Sequence, residues 1–169
     1  RQDLTRYVDT YEKIKSLMPI DGVLHFAAKA LVPESFQKPF EYFSTNIGGT
    51  LTIAEVCRKL EIRNLVHSST CAVYGSPQNI PIPESHSCLP ISPYGESKKL
   101  AENLLGQYTT LNSFRTIALR YFNPAGALPH SGYGECHDPE THLVPNIIKS
   151  ANAGTPAKIF GCDYETPDK

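Results

Sequence analysis

The 169-residue chain has no surplus of either charge, with 16 lysines and arginines against 17 aspartates and glutamates. Without a basic stripe, nothing argues for nucleic acid as a partner. The chain also has no apolar run near the about 18 residues that a membrane span needs, and no charged-then-apolar leader stands at its beginning. Paired cysteines are missing too. Cys57, Cys71, Cys88, Cys136 and Cys162 are scattered singly, in odd number and without a C-x-x-C spacing. That pattern speaks for reduced thiols and against a disulfide framework or a zinc site. The expectation is a soluble, cytoplasmic protein with no membrane partner, either one ordinary domain or a piece of a larger chain. There is no internal repeat or low-complexity tract.

What is present is an alternation of helical and strand-like segments. Helical patterns run over residues 6–17, about 39–60 and 94–111, and strand-like runs over 23–28, 64–69 and 116–122. Strands alternating with helices of this length predict right-handed parallel βαβ units in a doubly wound α/β sheet. Gly48 and Gly49 interrupt the second helix at a cost of roughly 1 kcal/mol each relative to alanine. Either close approach of a backbone or ligand, or tight packing against a strand, would account for them. A proline-rich loop fills 75–93. Beyond Asn123-Pro124 the composition shifts to glycine, proline and histidine through Pro139, then to a helix near 143–152 and a short strand at Lys158–Phe160. The shift marks a domain boundary at about residue 125.

Tyr94-Gly95-Glu96-Ser97-Lys98 follows a Ser-Pro helix start and sets a phenol and an ammonium four residues apart on one helix face. A lysine beside a tyrosine favours the phenolate, drawing a pKa of about 10 toward the working pH. Such a tyrosine can take a proton from a sugar hydroxyl. In an open parallel sheet, ligands bind beyond the carboxyl ends of the strands. Here those ends read Phe26-Ala27-Ala28, Ser68-Ser69-Thr70 and Tyr121-Phe122-Asn123. Small residues at the first end let a flat ring or pyrophosphate approach, and hydroxyls at the second can bond a substrate oxygen. Blander readings stand beside these. Ser68 and Ser69 could simply cap a strand end, and Asn123 could simply turn the chain before Pro124. His25 and His67 sit inside strands and read as packed structural histidines, while Glu84 reads as structural. His130, Cys136, His137 and Asp138 hint at a metal, but their spacing is irregular and reads as a solvated loop with no metal.

Together these motifs resemble the extended short-chain dehydrogenase/reductase family, and within it the epimerases of UDP-galactose and UDP-glucose. The resemblance rests on His25-Phe26-Ala27-Ala28, Glu34-Ser35 with Lys38-Pro39, and Asn46 with Gly49-Thr50. It continues through Ser68-Ser69-Thr70 with Val73-Tyr74-Gly75, Ser92-Pro93-Tyr94 through Lys98, and Arg120 through Pro124. Leu143-Val144-Pro145 and Ile159 through Tyr164 complete it. It implies a Rossmann-like fold, tightly bound NAD, and a catalytic triad of Thr70, Tyr94 and Lys98. Tyr94 would act as general base on the sugar 4-hydroxyl on the way to a 4-keto sugar, Thr70 would hold the same oxygen, and Lys98 would hold the nicotinamide ribose. Phe26, Ala27, Ala28, Lys29, Ala30, Asn46, Ser68 and Phe122 would join Tyr94 and Lys98 around the cofactor. Asn123, His142, Leu143, Lys158, Ile159 and Phe160 would join Thr70 around a UDP-sugar.

In two places the chain departs from the pattern. Ala28-Lys29-Ala30 stands where compared members have Gly-Leu-Lys, one position early for the lysine, and His142 replaces an asparagine. Residues 1–125 would then be the C-terminal part of the NAD-binding domain and 126–169 the start of the substrate-binding domain. The glycine-rich G-x-G-x-x-G turn of such domains is not in this chain; Gly132-Tyr133-Gly134 is the nearest in spacing and opens no βα unit. The expectation is therefore a middle portion of a protein about twice as long, lacking the first βαβ unit and part of the substrate domain. The resemblance further implies a homodimer formed through the helices at 39–60 and 94–111. A UDP-N-acetylhexosamine or UDP-pentose epimerase, a dehydratase and a non-catalytic nucleotide-binding regulator are the alternative readings. Dehydratases carry a carboxylate pair directly after the hydroxyl residue, where this chain has Cys71 and Ala72.

Overall fold

A computed structural model of the chain describes residues 2–112, 114–138, 140–159 and 161. They form two compact units, Arg1–Phe122 and Asn123–Lys169.

In the first unit, helix α1 (Tyr7–Lys15) precedes strand β1 (Val23–His25). The short helix α2 (Val32–Gln37) and the long helix α3 (Pro39–Lys59) then lead to β2 (Asn64–Ser68), and α4 (Pro93–Asn112) leads to β3 (Arg115–Leu119). The three strands pair in parallel in the order β1-β2-β3, with His25 opposite His67 and His67 opposite Ala118. This is the expected βαβ arrangement, with α3 and α4 as the crossovers. Helix α2 was not expected; six residues are too few to show a helical period, and Pro33 fits because the first turn of a helix needs no N–H there. Lys38, with φ −129°, breaks the chain between α2 and α3, and Pro39 opens the new helix.

Alternation along the strands decides what is covered. Leu65 and His67 are buried on one face of β2, whereas Leu24 and Ile117 on the opposite face of the sheet are exposed. Ile53, Ala54 and Cys57 from α3, Leu105 from α4, and Ile62, Leu65 and Phe114 form one apolar cluster. Full burial of a leucine or isoleucine contributes about 1.5–3 kcal/mol. Among the described residues, neither close approach of a backbone nor packing against a strand explains the two helical glycines. A Cβ at Gly48 would lie 3.8 Å from Thr5 Cγ2 and one at Gly49 3.6 Å from Leu4 Cβ, both ordinary contacts with a segment that is not a strand.

The second unit contains a two-stranded hairpin, β4 (Ala127–Leu128) against β5 (Tyr133–Gly134), and helix α5 (Leu143–Ala153). The hairpin was not foreseen, because strands of two residues carry no period-two signal. The strand expected at Lys158–Phe160 is corrected. Lys158 and Ile159 are exposed and pair with no other strand among the described residues, and Phe160 lies outside them. No helix among the described residues is long and apolar enough to cross a membrane.

Two glycines set the loops around α4. Gly75 has φ +69°, and a Cβ on it would meet Leu89 O at 1.9 Å. Gly106, in the middle of α4, has nothing within 4 Å of its would-be Cβ. Gly75→Ala is expected to lower stability by more than about 2 kcal/mol, while Gly106→Ala raises it by roughly 0.5–1 kcal/mol. Urea unfolding of both variants checks this, and equal effects would contradict it.

Candidate active site

The site is assembled where α4 starts against the end of β2. Ser92 Oγ accepts the Gly95 N–H at 3.1 Å, and Pro93 follows as the first helical residue, so the helix start is capped as the Ser-Pro sequence foretells. Gly95 permits the approach that follows. A Cβ there would meet Ala72 O at 2.6 Å, so only glycine lets α4 lie this close to the 3-10 turn Cys71–Val73. Thr70 caps that turn, its hydroxyl accepting Ala72 N–H at 3.2 Å. The Thr70 hydroxyl then lies close enough to the Tyr94 phenol to act on its protonation.

Lys98 lies one turn further along the same face and is 3 % exposed. Its Nζ donates to Ser68 O at 2.7 Å, at the last residue of β2. Burial lowers the Lys98 pKa from its ordinary value to about 8. Burial also raises the Tyr94 pKa, with the nearby Thr70 hydroxyl opposing it. This differs from the expectation that Lys98 draws the phenol down: in the protein alone, desolvation is the largest influence on Tyr94.

The stripe continues to Glu102, four residues beyond Lys98, which sequence reasoning passed over. Its carboxylate does not pair with Lys98. It receives Arg120 Nε at 3.0 Å and a terminal Arg120 nitrogen at 2.7 Å, and Ser69 Oγ donates to it as well. Arg120 also lies 4.8 Å over the Tyr74 ring. Glu102 thereby ties α4 to the chain leaving both β2 and β3. The recurrence of polar residues at 94, 98 and 102 was the available signal.

Asn46 joins the end of β1 to α4. Its Oδ1 accepts Lys29 N–H at 2.8 Å, and its Nδ2 donates to Lys29 O at 3.1 Å and to Ser97 Oγ at 3.0 Å. The Lys29 ammonium is held by Glu41 at 2.7 Å. Where residues 27–29 leave β1, a cleft of about 520 Å³ opens, walled also by Thr45 and residues 2–5. Phe26 and Phe122 are exposed at the ends of their strands. In the second unit, Asn123, His142, Leu143, Lys158 and Ile159 are all exposed; His142 caps the start of α5, and its ring meets Glu135.

Beneath Lys98 lie two buried histidines, with ring centroids 5.5 Å apart. Thr50 Oγ1 donates to Asn46 O, which leaves it to accept from His25 Nε2 at 3.2 Å. Neither nitrogen of His67 has a hydrogen-bond partner among the described residues. Burial, reinforced by the Lys98 charge, lowers the His25 pKa to about 4 and that of His67 to about 3.

Residues 1–166 match the model of the NAD dependent epimerase/dehydratase family. The chain belongs to that family. A curated UDP-glucose 4-epimerase of Lacticaseibacillus casei is 45% identical over 150 residues, which are 88% of this chain and 45% of that protein. The crystal structure of UDP-glucose 4-epimerase from Brucella ovis in complex with NAD superposes with a TM-score of 0.91 at 40% identity, covering 99% of this chain and 52% of that one. The UDP-Glc/GlcNAc 4-epimerase of Campylobacter jejuni superposes with a TM-score of 0.76 at 35% identity, over 99% and 51%. The chain thus spans about half the length of the relatives it matches. Its α/β architecture is the Rossmann-like fold of these epimerases.

The sign of the histidine shifts fixes a pH response. In the unfolded chain His67 takes a proton below about 6.5, but in the folded state only near 3. Stability contributed by neutral His67 is therefore full above pH 6.5 and is lost progressively toward pH 3, by an amount of order 4 kcal/mol. His67→Phe should flatten this acid loss and, by removing two unpartnered buried nitrogens, add about 1–3 kcal/mol at pH 7. Urea unfolding between pH 7 and 4 measures both; an unchanged acid slope would refute the assignment.

Proposed function

We propose that the whole protein is a UDP-glucose 4-epimerase, an isomerase that interconverts UDP-galactose and UDP-glucose with NAD as its cofactor. The observation that carries this reading is the Thr70 hydroxyl acting on the Tyr94 phenol at the start of α4, with the Lys98 ammonium buried one turn along the same helix face. The activity named for the Lacticaseibacillus relative and the NAD in the Brucella structure support it.

The residues present fit a dinucleotide. Lys98 has three N–H donors and commits one to Ser68 O, which leaves donors for a ribose hydroxyl. Ala27 and Ala28 present no side chain beyond Cβ to the cleft beside them, and the Lys29 ammonium at its wall is held by Glu41. The bound cofactor would accept a hydride from sugar carbon 4 and return it to the other face of the same carbon, inverting that centre without net redox. Tyr94 takes the proton of the 4-hydroxyl as the carbon is oxidised and gives it back on reduction. Thr70 holds that oxygen by a hydrogen bond, and Lys98 stabilises negative charge developing on the phenol. Cys71 and Ala72 supply no carboxylate for elimination of water, which favours epimerisation over dehydration.

Residues 1–125 then belong to the NAD-binding domain and 126–169 open the substrate-binding domain; Asn123, just before the boundary, joins His142, Leu143, Lys158, Ile159 and Phe160 in meeting the UDP-sugar. A cytoplasmic homodimer formed through α3 and α4 completes the reading. The Campylobacter neighbour, named for both UDP-Glc and UDP-GlcNAc, favours a second reading in which the sugar is an N-acetylhexosamine.

Tyr94→Phe in the whole protein should lower the rate of UDP-galactose to UDP-glucose conversion by at least roughly 100-fold, with the fold intact by circular dichroism. Retained turnover would overturn the assignment. The parent protein's rates on UDP-galactose and UDP-N-acetylgalactosamine separate the two sugar readings.

A further inference from the structure

The segment before α5 repeats a short unit, Glu135-x-His137 and Glu140-x-His142, five residues apart. Folding brings the four together: one ligand atom from each lies within 4.8 Å of all the others. His137 Nδ1 is 3.2 Å from Glu135 Oε1 and 3.7 Å from Glu140 Oε1, and His142 Nδ1 also meets Glu135 Oε1. The two rings stand edge to face with centroids 5.0 Å apart. The carboxylates are the covered members, with side chains 16% and 4% exposed, while the imidazoles close over them at 52% and 50%. Glu140 Oε1 is held in place by the backbone, accepting Thr141 N–H at 2.9 Å and His142 N–H at 3.0 Å.

We propose that Glu135, His137, Glu140 and His142 bind one divalent transition-metal ion of the zinc class. Two carboxylates and two neutral imidazoles cancel the charge of a divalent ion and supply the four N and O donors of a closed tetrahedral site. Bonds of about 2.0–2.2 Å set such donors roughly 3.3 Å apart, so the gathered atoms need only side-chain rotation to close on a metal. Two imidazoles select zinc, cobalt or nickel over magnesium and calcium, which prefer oxygen alone. The ion would fasten residues 135–142 to the start of α5. This set is not the one that the sequence suggests: His130, Cys136 and Asp138 take no part, and the two glutamates do. The role is structural and independent of the acid-base residues on α4, and with its ring on the metal His142 would meet the UDP-sugar through its backbone alone.

The test uses the whole protein, stripped with a chelator and titrated with zinc by calorimetry and with cobalt by visible absorption. The parent should take up about one ion per chain. The intense visible bands of tetrahedral cobalt should appear with nitrogen and oxygen ligands and no thiolate charge-transfer band. His137→Ala, at a half-exposed position, should weaken zinc binding by more than roughly 100-fold, beyond what loss of an outer partner costs, while Cys136→Ser leaves it unchanged. No uptake by the parent, a weak octahedral cobalt spectrum, uptake unaffected in His137→Ala, or loss in Cys136→Ser alone would each overturn the proposal. Because the cobalt spectrum is read on the parent, the ligand set is tested even if a variant fails to fold.

Discussion

A buried ammonium organises the first unit. Taking an ion out of water costs several kcal/mol even after the protein relaxes, and Lys98 is repaid with one neutral acceptor, Ser68 O. No carboxylate neutralises it. Glu102, at the helical spacing best suited to pair with Lys98, gives both oxygens to Arg120 and one of them to Ser69 as well. Had Glu102 bonded Lys98, the cation would be spent. The arrangement keeps its charge available and leaves its pKa near 8. It also dictates the chemistry of the neighbours: His25 and His67 lie in the same interior, and a second cation there would add repulsion to desolvation, so both remain neutral.

The rest of the unit reads as support for that placement. The β2 strand is central and ends at Ser68, where its carbonyl is free of the ladder and can accept from the lysine. Ser92 caps α4, Gly95 lets it lie on the turn after Thr70, and Asn46 fixes Ser97, the residue before Lys98, to the chain leaving β1. Apart from the Ser92 cap, these contacts join positions about 20 to 50 residues apart, so the site depends on the completed βαβ packing and on no single segment. A buried amide with both N–H groups and its carbonyl engaged is costly to disturb, which makes Asn46 a fastener whatever else binds beside it.

Much of this was legible in the sequence because the signals are local and periodic. The long helices, the parallel strands, the Ser-Pro helix start and the Tyr94–Lys98 face all follow from spacing, and the motifs read in order point to the right family. What escaped has physical causes. Helix α2 and the β4–β5 hairpin are shorter than the period that would betray them. The Glu102–Arg120–Ser69 network and the Asn46 clamp are pairings across sequence distance, invisible to any window. The Glu135–His142 cluster was hidden for another reason: attention to cysteine and histidine passed over glutamate, although the repeated Glu-x-His unit lay in plain order. The strand at 158–159 failed because hydrophobicity alone supplies no pairing partner.

The Tyr94–Lys98 pair shows how structure alters even a correctly found motif. From spacing alone, the lysine is expected to make the tyrosine acidic. In the folded chain both groups are buried, and burial favours the neutral form of each, raising the phenol and lowering the amine. Burial thus disfavours the phenolate that would act as base, and of the two groups it is the lysine whose titration lies nearer neutrality. Thr70 is the neighbour that opposes burial at Tyr94, because its hydroxyl can donate to the phenolate oxygen and so favours that form. The protonation of Tyr94 is thus set by burial and by a hydroxyl just beyond β2, whereas that of Lys98 is set by burial, so the pair on one helix face is tuned from outside that helix.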